Sequence, residues 1–249
     1  MLSASLGQAV DDGLIARNPC DTVKLPPVRK RRQLFLSAPQ VSALAEAAEA
    51  RQDGAGTLVL LLAYSGLRWG EAVALRPSSI DIGRRRVSVT EAYSEVNGKL
   101  NLGTPKTHET RTVIIPSFLA TMLDDYLEAR FGTDVIDLFF PAPGGGPHRS
   151  SSFRRSVWLP AVEAAEWVPK GLLVHDLRDT AASLAISAGA SIKAVQRMLG
   201  HASAAMTLDT YGSLFEDDLE DLADRMGETY GEAAGAANVV SLPVARSGS

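Results

Sequence analysis

The stretch from His175 to Tyr211 alternates helix-forming runs with glycine stops, and that rhythm fixes where its polar residues fall. It reads His175-Asp176-Leu177-Arg178, then an apolar run to Ala188, then Leu199-Gly200-His201, and finally Tyr211. Ala181 to Ala188 is a small-residue helix that Gly189 ends. Ser191 caps a second, Ile192 to Leu199, which stops at Gly200. One arginine, two histidines and a tyrosine therefore sit at element ends, where side chains from separate segments can converge. Cations and imidazoles around a lone phenol point to phosphate chemistry, with the tyrosine as attacking group.

At 249 residues the chain is long enough for one large domain, or one domain with appendages. With 45% hydrophobic and 22% charged residues it falls among ordinary globular chains. The lone Cys20 excludes an internal disulfide framework and fits an intracellular protein. The longest apolar run, Leu58 to Tyr64, is far too short to span a bilayer, and the N-terminus does not resemble a signal peptide. The expectation is a soluble cytoplasmic protein with no membrane partner.

The net charge of −4 argues against a nucleic-acid partner until its distribution is considered. The chain beyond Ser213 holds eight acidic and two basic residues; without it, 23 basic side chains face 21 acidic ones. Basic clusters lie at Arg29-Lys30-Arg31-Arg32, Arg84-Arg85-Arg86 and Arg154-Arg155. A single charge run is most often a solvated face, but three on a near-neutral body make a phosphate-facing surface plausible.

Taken in order, Ser5 to Ile15 has weak helical periodicity, Asn18-Pro19 breaks it, and Leu25-Pro26-Pro27 begins a stiff connector into the basic run. Ser37 caps a helix through Ala50. Gly54 to Ala63 is apolar all round and so central to the core, and a short helix follows from Leu67 to Leu75. Arg68, beside the Gly66 stop, can pair with Glu71 three residues on. Three strands are expected at Arg86 to Ala92, Lys99 to Leu102 and Arg111 to Ile115, with a hairpin at Asn97-Gly98. Lys106 lies in the loop between the second and third. Phe118 to Phe131 is an amphipathic helix, Leu138 to Pro141 an extended segment, and Ser151 to Trp167 a helix that Pro160 kinks or divides. Leucines interspersed with acids after Tyr211 suggest an amphipathic tail helix, and Asn238 to Val244 a short strand. The fold class is mainly α with a small three-stranded antiparallel sheet, an α+β arrangement.

Ser65-Gly66-Leu67-Arg68-Trp69-Gly70-Glu71, Thr104-Pro105-Lys106-Thr107, His175-Asp176-Leu177-Arg178, Leu199-Gly200-His201 and Tyr211 together resemble the tyrosine recombinases, the phage-integrase family. The five motifs stand in the family's order, and the resemblance covers about residues 35 to 215. The resemblance implies the family's catalytic-domain fold over residues 35–213. Residues 1–34 then read as the end of a core-binding domain plus a basic linker, and 214–249 as an acidic tail. Asp179 is a departure, since many relatives carry histidine after this arginine.

The resemblance also implies a chemistry and roles. Tyr211 attacks a DNA phosphodiester to give a 3′-phosphotyrosine, from which the free 5′-hydroxyl can rejoin the strand. Arg68 and Arg178 match the charge on the phosphate oxygens, Lys106 protonates the leaving oxygen, and His175 and His201 flank the phosphate. Glu71 holds a catalytic arginine or the local helix. No metal or ATP is called for. Arg29, Lys30, Arg31, Arg32, Arg84, Arg85, His108, His148, Arg154 and Arg155 are candidate DNA contacts. The partners implied are double-stranded DNA carrying attachment sites, three further copies in a tetramer on paired sites, and DNA-bending or excision accessory proteins. The acidic tail could pack on a neighbouring protomer, shield the basic surface, or form a plain surface helix. Other classes remain in view: a type IB topoisomerase, a regulatory fragment without catalysis, or a metal hydrolase using His175, Asp176, Asp179 and His201.

Overall fold

The computed structural model describes residues 2–23, 33–105, 110–131, 137–215, 223–224 and 226–231. The basic run from Arg29 to Arg32 (with Lys30 and Arg31), Lys106, His108 and most of the acidic tail, including 238–244, lie outside the described residues. The chain divides into two compact units, 1–33 and 34–249.

In the first unit, α1 (Leu2–Asp11) is followed by a 3₁₀ turn at Pro19–Thr22. Asn18 ties the two together. Its Oδ1 accepts from the Cys20 amide at 3.0 Å and its Nδ2 donates to the Ser3 carbonyl at 2.9 Å. No residue of α1 is buried.

The second unit begins with α2 (Ala38–Glu49), which Ser37 starts as the sequence predicts, its amide donating to Gln40 Oε1 at 2.9 Å. α3 (Ala55–Ser65) is buried along most of its length and packs on α2. A helix that is apolar all round can only be stable inside, and this one is the axis of the core. It ends at Gly66 in the left-handed region, φ +66°. α4 covers only Trp69–Ala72, shorter than the expected run to Leu75.

The strands differ from the sequence reading. The expected Arg86 to Ala92 strand is two strands, β2 (Arg86–Val89) and β3 (Ala92–Val96). The three-stranded antiparallel sheet is formed by β1 (Ile80–Asp81), β2 and β5 (Arg111–Ile114), in the order β1-β2-β5. β3 pairs instead with β4 (Lys99–Gly103) across the Asn97-Gly98 turn, as a separate two-stranded ribbon. Alternating Val87 and Val89 bury one face of β2, whereas β3 and β4 carry no buried residue. The sheet is thus held by the core and the ribbon is not.

α5 (Ser117–Phe131) packs on α3. The expected division at Pro160 is a widened, π-type turn, Arg154–Trp158, between α6 (Ser150–Phe153) and α7 (Leu159–Ala164). Proline has no N–H for the preceding turn, and the widening absorbs the mismatch. α8 (Asp176–Ser187) starts earlier than its small-residue run suggested, because Asp176 accepts the Leu173 amide at 2.7 Å and suits the positive end of the helix. α9 (Ile192–Leu199) has the predicted bounds, with Ser191 accepting the Ala194 amide and Gly200 closing it at φ +65°. α10 (Ala204–Tyr211) follows.

Ala182, Ile186, Val195, Leu199 and Tyr211 form a second apolar cluster, against which Phe35, Leu214 and Phe215 pack. Residues 223–224 and 226–231 are helical. Among the described residues no helix is long and apolar enough to cross a membrane.

Candidate active site

α3 and α9 both end in left-handed glycines, and Arg178 of α8 lies between their ends. The side chain is 4% exposed; Nη1 donates to the Gly66 carbonyl and Nη2 to the Leu199 carbonyl, the latter at 2.5 Å. Helix C-termini leave carbonyls without amide partners and carry partial negative charge, so two such ends make a cradle for a buried guanidinium. Burial, then the guanidiniums of Arg68 and Arg111, bring Arg178 down to about 10. It therefore stays charged at neutral pH. The serine–glycine–leucine–arginine and leucine–glycine–histidine motifs are thus parts of one local structure.

Glu71 lies on the other side of that group, 1% exposed. Its carboxylate accepts from the Arg68 amide at 2.8 Å, Arg68 Nη1 at 3.0 Å, and Arg111 Nη1 and Nη2 at 2.9 and 2.6 Å. Burial alone would raise its pKa. Arg111 foremost, then Arg68, outweigh that and hold the carboxyl below its usual range. The expected Arg68–Glu71 pair is present, but the two-pronged partner is Arg111, which was not singled out in the sequence. As the first residue of a strand it has no local feature to distinguish it. Arg68 is 28% exposed at its side chain, so one face remains open.

His201 follows Gly200, its Nδ1 3.0 Å from the hydroxyl of buried Thr207. Burial, then Arg178, Arg68 and Arg111, push the imidazole down to about 4, so it is neutral at pH 7. In the tautomer in which the Thr207 hydroxyl donates to Nδ1, Nε2 carries the hydrogen and can donate it. The His201 ring lies parallel to the Tyr211 ring, centroids 6.4 Å apart.

Tyr211 ends α10 and is 2% exposed. Its hydroxyl donates to Asp179 Oδ1 at 2.6 Å, across from one turn of α8. Burial and this carboxylate raise the phenol well above its usual range, with Arg178 opposing. A cleft of about 520 Å³ opens beside the group, lined by Arg111, Thr112, Gln196, Arg197, Gly200 and His201.

Arg68, Glu71, Arg178, His201 and Tyr211 are thus brought together. His175 is exposed at the start of α8, one turn from Arg178. Arg84 and Arg85 are exposed in the β1–β2 turn, Arg84 paired with Asp81, and Arg154 and Arg155 are exposed on the widened turn. His148 is a correction. Expected at a DNA-facing surface, it is 6% exposed, its ring against Trp69 and Phe153 and 3.4 Å from Gln52 Nε2. Burial pushes it down to about 4, so it is a neutral core side chain with no charge to offer a phosphate. The residues weighed as metal ligands are engaged separately: Asp176 with Leu173, Asp179 with Tyr211, His201 with Thr207. Among the described residues no three of His, Cys, Asp and Glu converge as a metal-binding group.

Residues 35–217 match the model of the phage integrase family. The chain is 26% identical over 235 residues to the ICEBs1 integrase of Bacillus subtilis, covering 91% of this chain and 63% of that protein. It is 27% identical over 236 residues to the integrase of Mycobacterium phage D29, covering 93% of this chain and 61% of the relative. The chain therefore spans a little over three-fifths of these relatives. In fold it resembles the Tn1549 transposon integrase solved with transposon right-end DNA (TM-score 0.70, 21% identity, 89% of this chain and 76% of that one). It also resembles XerA recombinase, with a TM-score of 0.60 and 26% identity over 81% of this chain and 67% of that one.

Proposed function

From the premise that this chain belongs to the phage integrase family, we propose that it is a site-specific DNA recombinase acting through a covalent 3′-phosphotyrosine. The observation that carries the reading is the convergence, from four separate elements, of Arg68, Arg178, His201 and Tyr211 on one buried, cationic corner.

A phosphodiester resists a nucleophile because it is already negative, and its oxygens gain charge as a fifth ligand approaches phosphorus. Arg68 and Arg178 are suited to that charge, being permanently ionised and able to donate two parallel bonds each. Removing such a preorganised donor costs about 3–4 kcal/mol of barrier in other enzymes. His201, neutral and oriented by Thr207, adds a donor without adding charge. His175, exposed on the rim, is assigned to proton transfer and Lys106 to protonating the leaving 5′-oxygen. Phenoxide leaves more readily than alkoxide, so the intermediate can be reversed by a DNA hydroxyl, and neither metal nor ATP is assigned a part.

The same reading takes residues 1–34 as the end of a core-binding domain plus linker, 35–213 as the catalytic domain and 214–249 as an acidic tail. Arg29 to Arg32, Arg84, Arg85, His108, Arg154 and Arg155 are assigned to the DNA backbone. Attachment-site DNA in a bacterial cytoplasm, a homotetramer on paired sites and DNA-bending accessory proteins are the partners assigned. Covalent trapping tests the reaction: nicked duplexes with randomised cores are incubated at low salt with the wild type and with Tyr211→Phe, then resolved under denaturing conditions. An adduct made only by the wild type is the expected result. DNA binding without an adduct would instead favour a regulatory fragment.

A further inference from the structure

Tyr211 needs somewhere to send its proton, and the acceptor is already in place. An O–H···O distance of 2.6 Å to Asp179 Oδ1 is that of a charge-assisted hydrogen bond, formed at the one atom whose attack the reaction requires. The charged and titratable groups facing that hydroxyl are Asp179 and Arg178 from α8 and His201 from beyond α9. Of these, Arg178 cannot accept a proton, and His201 is already bonded to Thr207 through Nδ1 with its ring stacked beside the phenol. His175, assigned above to proton transfer, is exposed at the helix start one turn before Asp179, and for the tyrosine's proton the part proposed here for Asp179 replaces that assignment. Asp179 is half-buried, three and four residues beyond Asp176 and His175, and projects from the first turns of α8 toward Tyr211.

We propose that Asp179 is a catalytic residue, the general base that takes the Tyr211 proton as the tyrosine attacks; the assignment rests on the cleavage reaction proposed above. In the step, the Tyr211 Oη–H bond breaks and its proton passes to the Asp179 carboxylate. The Oη–P bond forms, and the P–O5′ bond breaks with its electron pair leaving on the 5′-oxygen. That oxygen takes a proton from the donor assigned above to Lys106. In the reverse step the carboxylic acid of Asp179 returns its proton to the departing phenolate, so both residues end as they began. Aspartates that accept a hydroxyl proton serve the same purpose in other phosphoryl transfers. In the resting chain burial first, and then this contact, hold the phenol neutral, since a carboxylate bonded to a buried hydroxyl favours the protonated form.

The test uses the full chain and a nicked duplex selected as an adduct from the randomised pool, with Tyr211→Phe as blank. A second version of that duplex carries a bridging 5′-sulfur at the scissile phosphate, because a thiolate leaves without needing a proton. Asp179→Asn should form adduct about 100- to 10,000-fold more slowly on both substrates. Lys106→Ala should be slow on the oxygen substrate and restored by sulfur. The residual rate of Asp179→Asn should climb tenfold per pH unit, as phenolate forms without help, where the wild type is flat. Asp179→Glu should recover part of the loss, and formate should partly rescue Asp179→Ala, readouts that a purely structural role would not give. Adduct formation by Asp179→Asn within threefold of wild type, or restored by sulfur, would overturn the assignment. If wild type itself forms no Tyr211-dependent adduct, it is the cleavage reading that fails, and this assignment with it.

Discussion

Burying a lone carboxylate costs several kcal/mol, and Glu71 is 1% exposed only because two guanidiniums surround it. Arg111→Ala leaves that carboxylate with Arg68 alone. The chain should lose about 3–5 kcal/mol of stability, read as a lower urea midpoint. Arg111→Lys should recover less than half, since an ammonium cannot reproduce the two-pronged geometry. The two low histidines predict the opposite sign of pH dependence from a salt-bridged histidine. His148 sits near 4 when folded and near its ordinary value when unfolded, so the unfolded chain binds the extra proton between those limits. Its contribution is complete above about pH 6.5 and is lost as pH falls toward 4, on the order of 1–3 kcal/mol. Urea titrations at pH 7 and 5 should show that loss, and His148→Phe should show a smaller one. At this scale the sequence marked Arg68 and His201 because they lie beside glycine stops, and Arg178 and Tyr211 because they fall near element ends and complete the set of motifs. It could not mark Arg111, whose partner Glu71 is forty residues away in space-filling contact only after folding. Nor did it reveal that His148, in a glycine-proline loop, is drawn under Trp69 and Phe153.

Helix ends were the most legible elements because their signals are local. Ser37 and Ser191 start helices, and Gly66 and Gly200 end them, as propensity and cap chemistry dictate. The strands were less legible: Arg86 to Ala92 alternates well enough to read as one strand, yet the chain breaks after Val89 and β3 leaves the sheet to run over α4. There a Cβ on Gly70 would meet the Tyr93 carbonyl oxygen at 2.1 Å. That approach is a tertiary fact with no trace in periodicity. The two left-handed glycines flanking α9 provide a graded test. At Gly189, φ +82°, an added Cβ meets nothing within 4 Å, so Gly189→Ala should cost only the backbone strain, about 1 kcal/mol. At Gly200, φ +65°, it would meet Arg111 Cδ at 2.8 Å. Gly200→Ala should therefore cost clearly more than Gly189→Ala in a urea titration. It should also slow adduct formation, because the displaced side chain is the partner of Glu71. Equal losses at the two positions would mean that the cap strains the backbone without steering Arg111.

Across the whole molecule the sign of the charge changes along the chain, and DNA responds to that distribution more than to the total. The eight acidic residues of the tail all lie beyond Phe215, with two arginines among them. Leu214 and Phe215 pack on the cluster that contains Tyr211, so a truncation meant to test charge should end after Phe215, not at Ser213. Such a chain moves from −4 to +2 without losing a packed residue of the second core. Whether the tail folds back or extends, its field acts on an approaching polyanion over about 10 Å at 0.1 M salt and over about 3 Å at 1 M. Fluorescence anisotropy with a labelled duplex should therefore show the truncated chain binding several-fold more tightly at about 50 mM salt, with the two affinities converging toward 1 M. A gain that persists at high salt would point to a tail seated directly on the DNA surface, where its carboxylates are not screened. No gain at any salt would make it a plain surface helix. A gain accompanied by lost strand exchange would give the same segment a second role, as the contact by which one protomer holds its neighbour.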